Sequence, residues 1–289
     1  MATNQLIDSL PVEIIRDIVE FACRTDSATA ATLDCVCFAF RKWTGPLLYQ
    51  TVLLHSPSPL ISFIETIIAA PSVSTGVQRD RGFYATHVKY MSIRNAKLPL
   101  HHLHTIYEIC SGIQTLELDD DRGLELVRPD AARPKELILT RQLGKHREII
   151  PMLCELESLW IIEASSYPHI LNSGLRRLGF SMRFMELYWL TKSGWFEQIH
   201  QSLPMLDMLV ITLSRGQYLH SRGTASNHVF TPSDVWASDM KTVRDPRIYI
   251  RPIHPSAEQL VVDSRELGVD VWTLALLDAV QHPIFFSVE

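Results

Sequence analysis

The chain has 289 residues, 46% hydrophobic and 20% charged, which is enough apolar material for a sizeable core in one small and one larger unit. Its 27 basic and 32 acidic residues leave a formal charge of -5, without the basic excess that nucleic acid or an anionic membrane surface selects. Five cysteines, Cys23, Cys35, Cys37, Cys110 and Cys154, are odd in number and lack a CxxC pair, so reduced buried thiols in the cytoplasm or nucleus are expected, with no disulfide frame and no zinc site. Met1 to Ser9 carry Asp8 and lack both a basic start and an apolar run, so no secretory signal is expected.

Leu10-Pro11-Val12-Glu13 begins the first predicted helix. Pro11 suits a first turn, where its missing N–H is not needed, and Glu13 suits the positive end of the helix dipole. Leu10, Ile14 and Ile18 stack at four-residue intervals with Ile15 and Val19 beside them. That stripe is wider than a three-helix unit needs for its own core, so part of it is expected to face a partner. After the capping residues Thr25-Asp26-Ser27, and a loop read from Cys23 to Ala31, residues Leu33, Val36, Cys37 and Phe40 recur at i, i+3, i+4 and i+7. This spacing predicts a second amphipathic helix. Gly45-Pro46 predicts a restart as a third, short helix through Leu48 and Tyr49 into Val52-Leu53-Leu54.

Leu10, Pro11, Glu13, Ile14, Ile18, Val36, Cys37, Arg41, Trp43, Leu48 and Tyr49, in that order, resemble the F-box family. The likeness covers about a sixth of the chain, and the loop from Cys23 to Ala31 reads longer than is usual there. The resemblance implies a three-helix unit over 1–55 that docks on a Skp-type adaptor and through it on a cullin-RING ubiquitin ligase. Leu10, Pro11, Glu13, Ile14 and Ile18 would then make the adaptor contact, supported by Val36, Arg41, Trp43, Leu48 and Tyr49. The rest of the chain would recruit the protein to be ubiquitinated.

Residues 56–87 read as a linking helix and loop. Leu60, Phe63, Ile64, Ile67 and Ile68 have helical spacing after Ser58-Pro59, and the segment to Ala70 is too short to span a bilayer and contains Glu65. Pro71 to Gly82 reads as a polar loop.

From Val88 a pattern recurs: Val88-x-x-Met91-x-Ile93, Ile113-x-x-Leu116-x-Leu118, Leu156-x-x-Leu159-x-Ile161, Leu175-x-x-Leu178-x-Phe180 and Leu206-x-x-Leu209-x-Ile211, with Pro134-x-x-Leu137-x-Leu139 as a degraded copy. Most intervals fall in the range of roughly 20 to 29 residues, so the region 88–289 resembles an irregular leucine-rich repeat: an α/β solenoid of short parallel strands with outer helices. Outer helices are expected at Leu100 to Cys110, Lys145 to Leu153 and Met185 to Leu203. The family's Asn or Cys after each strand is replaced by Ala96, Asp121, Gln142, Ala164, Arg183 and Ser214, which predicts an uneven arc. An ordinary α/β sheet with similar strand spacing is the alternative. Ser214 to Ser233 reads as a long surface loop, Arg247 to Ile250 as a last strand and Asp270 to Gln281 as a helix capping the open end. Asp245-Pro246-Arg247 with the later Asp270-Val271-Trp272 is similar to the tails of F-box proteins from mushroom-forming fungi, which implies a fungal origin.

No motif for chemistry stands out. His101-His102-x-His104 lies on a predicted helix where neighbours point about 100° apart, so the three do not converge on one metal ion. Asp119-Asp120-Asp121 with Glu117 lacks the spacing of a calcium loop. No nucleophile elbow and no phosphate-cradling glycine loop occurs among the twelve glycines. No cofactor and no catalytic role are expected, and the chain is read as a receptor that holds a protein near chemistry performed elsewhere. Outward strand positions place Ile138, Trp160 and Ile162 at an apolar centre, with Glu117 and Asp119 on one side and Arg176 and Arg177 on the other. An exposed tryptophan within a polar rim is the composition of a binding hot spot, so these are the candidate substrate-binding residues. The alternative is that the loop from Ser214 or the C-terminal segment buries Trp160. At the level of function the alternatives are a repeat scaffold without a ligase role and an unrecognised hydrolase using one of the twelve histidines.

Overall fold

The computed structural model describes residues 10–72, 79–94, 99–119, 133–140, 156–161, 174–182, 193–213, 247–251, 257–267 and 269–281. The fold is mixed α/β, and the chain divides into two compact units, Met1–Thr115 with Asp130–Ala132 and Leu116–Pro129 with Arg133–Glu289. The predicted outer helix at 145–153, the turn positions Ala96, Asp121, Gln142, Ala164, Arg183 and Ser214, the loop from Ser214 to Ser233, and Ile162 lie outside the described residues.

The first unit begins with three helices, α1 (Val12–Thr25), α2 (Ser27–Asp34) and α3 (Phe38–Gln50). Glu13 lies in the first turn of α1, as the sequence suggests, while Pro11, expected within that turn, is the cap residue just before it. The long loop expected between the first two helices is replaced by a single residue. Asp26, extended at φ -153°, turns the chain and accepts from the N–H groups of Ala28 at 3.1 Å and Thr29 at 2.9 Å. The later boundaries also differ from the expectation. α2 stops at Asp34, Cys37 caps α3 by accepting from the Phe40 N–H at 3.5 Å, and α3 runs on through Pro46. A proline inside a helix costs a backbone bond, and packing offsets that cost, because Thr44 and Gly45 beside it are buried. Val19, Cys23 and Ala30 form the core of this head, with Ile15, Leu33, Phe40, Trp43, Leu47 and Leu48 packed around them.

The unit continues with β1 (Thr51–Leu54), α4 (Pro57–Ala69), α5 (Arg81–His87), β2 (Tyr90–Ile93) and α6 (Leu100–Ile109). α4 buries Leu60, Phe63, Ile64 and Ile67 of the face its spacing predicts, while Ile68, expected on the same face, is exposed. α5 starts inside the stretch read as loop, where Asp80 accepts from the Phe83 N–H at 2.7 Å. A Cβ on Gly112, after α6, would stand 1.9 Å from the Ala85 carbonyl oxygen, so α5 and that turn meet at a distance only glycine permits. β1 and β2 pair in parallel, with Val52 opposite Met91 and Leu54 opposite Ile93.

β3 (Thr115–Leu118) straddles the division between the units. The second unit then carries β4 (Glu136–Leu139), β5 (Ser158–Ile161), β6 (Arg177–Met182), α7 (Trp195–Ser202), β7 (Met208–Leu213), β8 (Ile248–Arg251), α8 (Ala257–Leu267) and α9 (Val271–Gln281). The described strands form an eight-stranded sheet in chain order, β1 to β8. In β4 to β8 every neighbour is parallel, and Leu137, Leu159, Leu178, Leu209 and Ile248 form one row while Leu139, Ile161, Phe180, Ile211 and Ile250 form another. These rows are the fourth and sixth positions of the sequence pattern, so the repeat and the pairing register coincide. Val52 and Leu54 take the same places in β1, which makes Tyr49 the start of a copy whose first position the pattern did not reveal.

Both faces of β4 to β7 are apolar. The rows above fill one; Ile138, Trp160 and Val210 on the other pack with Leu260, Val261, Val271, Trp272 and Ala275 of α8 and α9. The terminal helix, expected as an end cap, lies with α8 across the sheet face. Parallel sheets are stable when covered on both sides, and the outward side chains here are too large and apolar to be left in water.

Candidate functional site

The side chains of α1 fall into three sectors set by its 3.6-residue turn. Ile15, Val19 and Cys23 face the core of the head, and burial pushes the Cys23 thiol above its usual range. Arg16, Glu20 and Arg24 form a solvated row of i,i+4 pairs. Between these sectors Ile14, Ile18 and Phe21 stand 44%, 56% and 71% exposed. The wide stripe seen in the sequence thus splits, one half used internally and the other left uncovered. At the turn from α2 to α3, Val36 and Phe38 are exposed at 60% and 63%.

The candidate adaptor-binding residues separate accordingly. Leu10, Pro11, Glu13, Ile14, Ile18 and Val36 are on the surface. Trp43 and Leu48 pack on the head's own core, a supporting position. Arg41 stays exposed and donates from Nε to the Asp34 carbonyl at 3.3 Å. Tyr49 packs edge-on against Phe83 and Tyr84 of α5, with centroids at 5.7 and 5.4 Å. Val12, Phe21 and Phe38 are large, exposed and absent from the sequence-derived set. Phe21 is legible in the sequence, three residues beyond Ile18 and seven beyond Ile14; Phe38 is not, because helical spacing carries α2 past its end at Asp34.

The second candidate surface is corrected by the fold. Ile138 and Trp160 are 2% and 0% exposed, so they form no open apolar centre, and Glu117 is fully buried. The indole of Trp160 lies 4.8 Å from that of Trp272 on α9, the C-terminal cover that the sequence left as the alternative. Gly179, directly opposite Trp160, makes room for it: a Cβ there would stand 2.4 Å from Trp160 Cε3. Trp272 donates from Nε1 to Glu136 Oε1 at 2.6 Å, and the Arg177 guanidinium sits 5.4 Å over the Trp272 ring and 3.9 Å from Asp270. Arg177 also donates to Ser158 Oγ at 2.7 Å, while exposed Arg176 pairs with Asp207 at 3.0 Å. Asp119 is half-buried. The residues chosen as a rim therefore do not surround an open apolar patch.

One pair touches on the hydrolase alternative. His55 Nε2 is 2.9 Å from Ser92 Oγ, the distance of an activated nucleophile, but Ser92 is wholly buried in β2 and its oxygen is closed to a substrate. The bond satisfies a buried hydroxyl. The Cys110 thiol, enclosed by apolar neighbours, is pushed up to about 12 and is inert at neutral pH. Among the described residues no group of three or more His, Cys, Asp or Glu is placed to hold a metal ion, and no helix is long and apolar enough to cross a membrane. Comparison with protein-family models yields no match, and comparison with curated proteins yields none either.

Proposed function

We propose that the chain is a substrate receptor of a cullin-RING ubiquitin ligase, with an F-box head over α1 to α3 that docks on a Skp-type adaptor and a leucine-rich-repeat-like solenoid behind it that recruits a protein. In this reading it works inside the cell, carries no reactive group and acts by holding its target close to the transfer machinery. The observation that carries the proposal is the uncovered stripe of Ile14, Ile18 and Phe21 on a helix whose neighbouring stripe already supplies the head's core. Three helices with a complete interior gain nothing by exposing three large apolar side chains in a row, and contiguous patches of that kind mark interaction sites. The i, i+4, i+7 spacing is that of a helix laid into a partner's groove. A stable interface buries on the order of 1,600 Å² in total, so the exposed Val36 and Phe38 are expected to contribute beside α1. The order of motif residues from Leu10 to Tyr49 supports the same assignment, and the coincidence of repeat and register supports the solenoid.

The test is capture of a recombinant Skp-type adaptor by the full chain. The native protein is expected to form a complex that survives gel filtration. The double variant Pro11→Ala, Ile14→Asp is expected to lose it with an unchanged circular dichroism melt. No complex with the native chain sinks the ligase reading and leaves a repeat scaffold; a complex that persists in the double variant shows that α1 is not the docking face.

A further inference from the structure

The head is tied to the layer that follows it by a partly buried ion pair. Asp34, the last residue of α2, is 9% exposed, and a carboxylate so placed needs partners. Its Oδ1 accepts from Thr44 Oγ1 at 3.1 Å and from Arg79 Nη2 at 2.5 Å. Arg79 belongs to the segment just ahead of α5, and its guanidinium lies 4.7 Å from the Tyr49 ring centroid of α3 and 5.3 Å from that of Phe83 of α5. A Cβ on Gly45 would come within 3.1 Å of Arg79 Nη2, so the guanidinium fills the space that a glycine in α3 leaves. One cation thus touches all three parts of the joint: α2 by charge, α3 and α5 by stacking on their rings.

We infer that Arg79 is a positioning residue, a latch that fixes the angle of the three-helix head on the α4–α5 layer. The edge-on ring contacts around it, Tyr49 with Tyr84 and Tyr84 with Phe63 at 5.4 and 6.2 Å, supply cohesion but admit small displacements, because such pairs hold over centroid distances of roughly 4.5 to 7 Å. The ion pair has one geometry. Asp34 keeps Thr44 and Arg41 within the head when Arg79 is removed, so the head holds its fold while its link outward loosens. In the ligase reading, on which only this consequence rests, the latch fixes the face that α1 presents to the adaptor relative to the α4–α5 layer.

The test is a distance distribution by pulsed electron spin resonance between labels at Arg24→Cys on α1 and Glu65→Cys on α4, both exposed, with Cys35, Cys37 and Cys154 replaced by serine. The native latch is expected to give one narrow distance, Arg79→Ala a distribution at least about twofold broader, and Arg79→Lys, which retains the charge, a width close to native. An unchanged width in Arg79→Ala with a lowered melting temperature reduces the pair to simple stabilisation and overturns the latch. Gly45→Ala, which crowds the guanidinium by one methyl group, is the second variant; it is expected to broaden the distribution, and a native width there also counts against the latch. No adaptor is present in the measurement, so its outcome is independent of the ligase reading. Adaptor capture by Arg79→Ala is expected to stay native, because α1 is untouched.

Discussion

On α1, Ile18 and Phe21 lie open to water at 56% and 71%, while on the sheet of the second unit Ile138, Trp160 and Val210 are sealed at 2% or less. Hydrophobicity does not distinguish them, since tryptophan and isoleucine are as apolar as anything on the helix. The difference is whether the chain brings its own cover. The sheet receives α8 and α9, whose Leu260, Val261, Val271, Trp272 and Ala275 make a matching stripe. The head has spent its matching surface on its own interior. An uncovered stripe beside a completed core is the signature of a surface meant for another molecule, whereas a large outward residue on a parallel strand is more often waiting for a later part of the same chain.

The comparison is broken most severely at Trp160. Replacing it by alanine removes a wholly buried indole and is expected to destabilise the second unit by about 3 to 5 kcal/mol in denaturant unfolding. A loss near zero would mean the cover of α8 and α9 is not a core. Gly179→Ala attacks the same contact from the opposite strand, because its new methyl collides with the indole; about 1 to 3 kcal/mol is expected. Combined with Trp160→Ala, that cost should largely vanish, since the colliding ring is gone, and a double-mutant cycle reads the coupling directly.

These residues also show what the sequence makes legible. The strand rows were readable, because each Leu-x-x-Leu-x-Leu copy repeats what one strand needs and the register follows from it. The partner of Trp160 was not, since it comes from Trp272, more than a hundred residues later, and nothing local distinguishes a hot spot from a core face awaiting its cover. On the head, Asp26 is a strong capping residue and marks the start of α2, but helical spacing from Leu33 to Phe40 drew the helix past its end. Asp34, where α2 stops, is tied to Thr44 and Arg79, both distant in sequence, and the start of α3 rests on cysteine, a weak cap that propensity does not flag. Pro46 misled for the same reason: it breaks a helix in isolation, whereas here buried Thr44 and Gly45 hold the helix together around it. Of the exposed apolar residues of the head, the isoleucines follow from spacing, while Phe38 needs the corrected helix boundary.

The opposite surface should respond in the opposite way. Ile18→Asp with Phe21→Asp changes two side chains that touch little of their own protein, so stability is expected to stay within about 0.5 kcal/mol of native. Adaptor capture, measured by isothermal titration, should be lost. A large fall in stability instead would show that the stripe is covered by its own chain in solution, and the contrast between the two regions would disappear.

The smallest expected effect lies at the anchor of the cover. Asp270 precedes α9, and partial burial would raise its pKa, but this is outweighed by the Thr273 hydroxyl, by the N–H groups of Thr273 and Trp272 at 3.0 Å each, and by Arg177, so the net shift is downward. A folded pKa below the unfolded one means the charged carboxylate stabilises α9 above the unfolded value, near 3.9, and that this contribution is lost as pH falls through the folded value. Asparagine caps a helix about as well as aspartate but has no charge for Arg177, so Asp270→Asn should cost well under about 1 kcal/mol at pH 7. Unfolding curves for the two proteins should converge as pH drops below the folded pKa, where the native carboxyl is also neutral. A difference that survived at that pH would place the anchoring in the shape of the cap, and a difference absent at pH 7 would mean that the charge of Asp270 adds nothing to what the apolar stripe and the Trp272–Glu136 bond already hold.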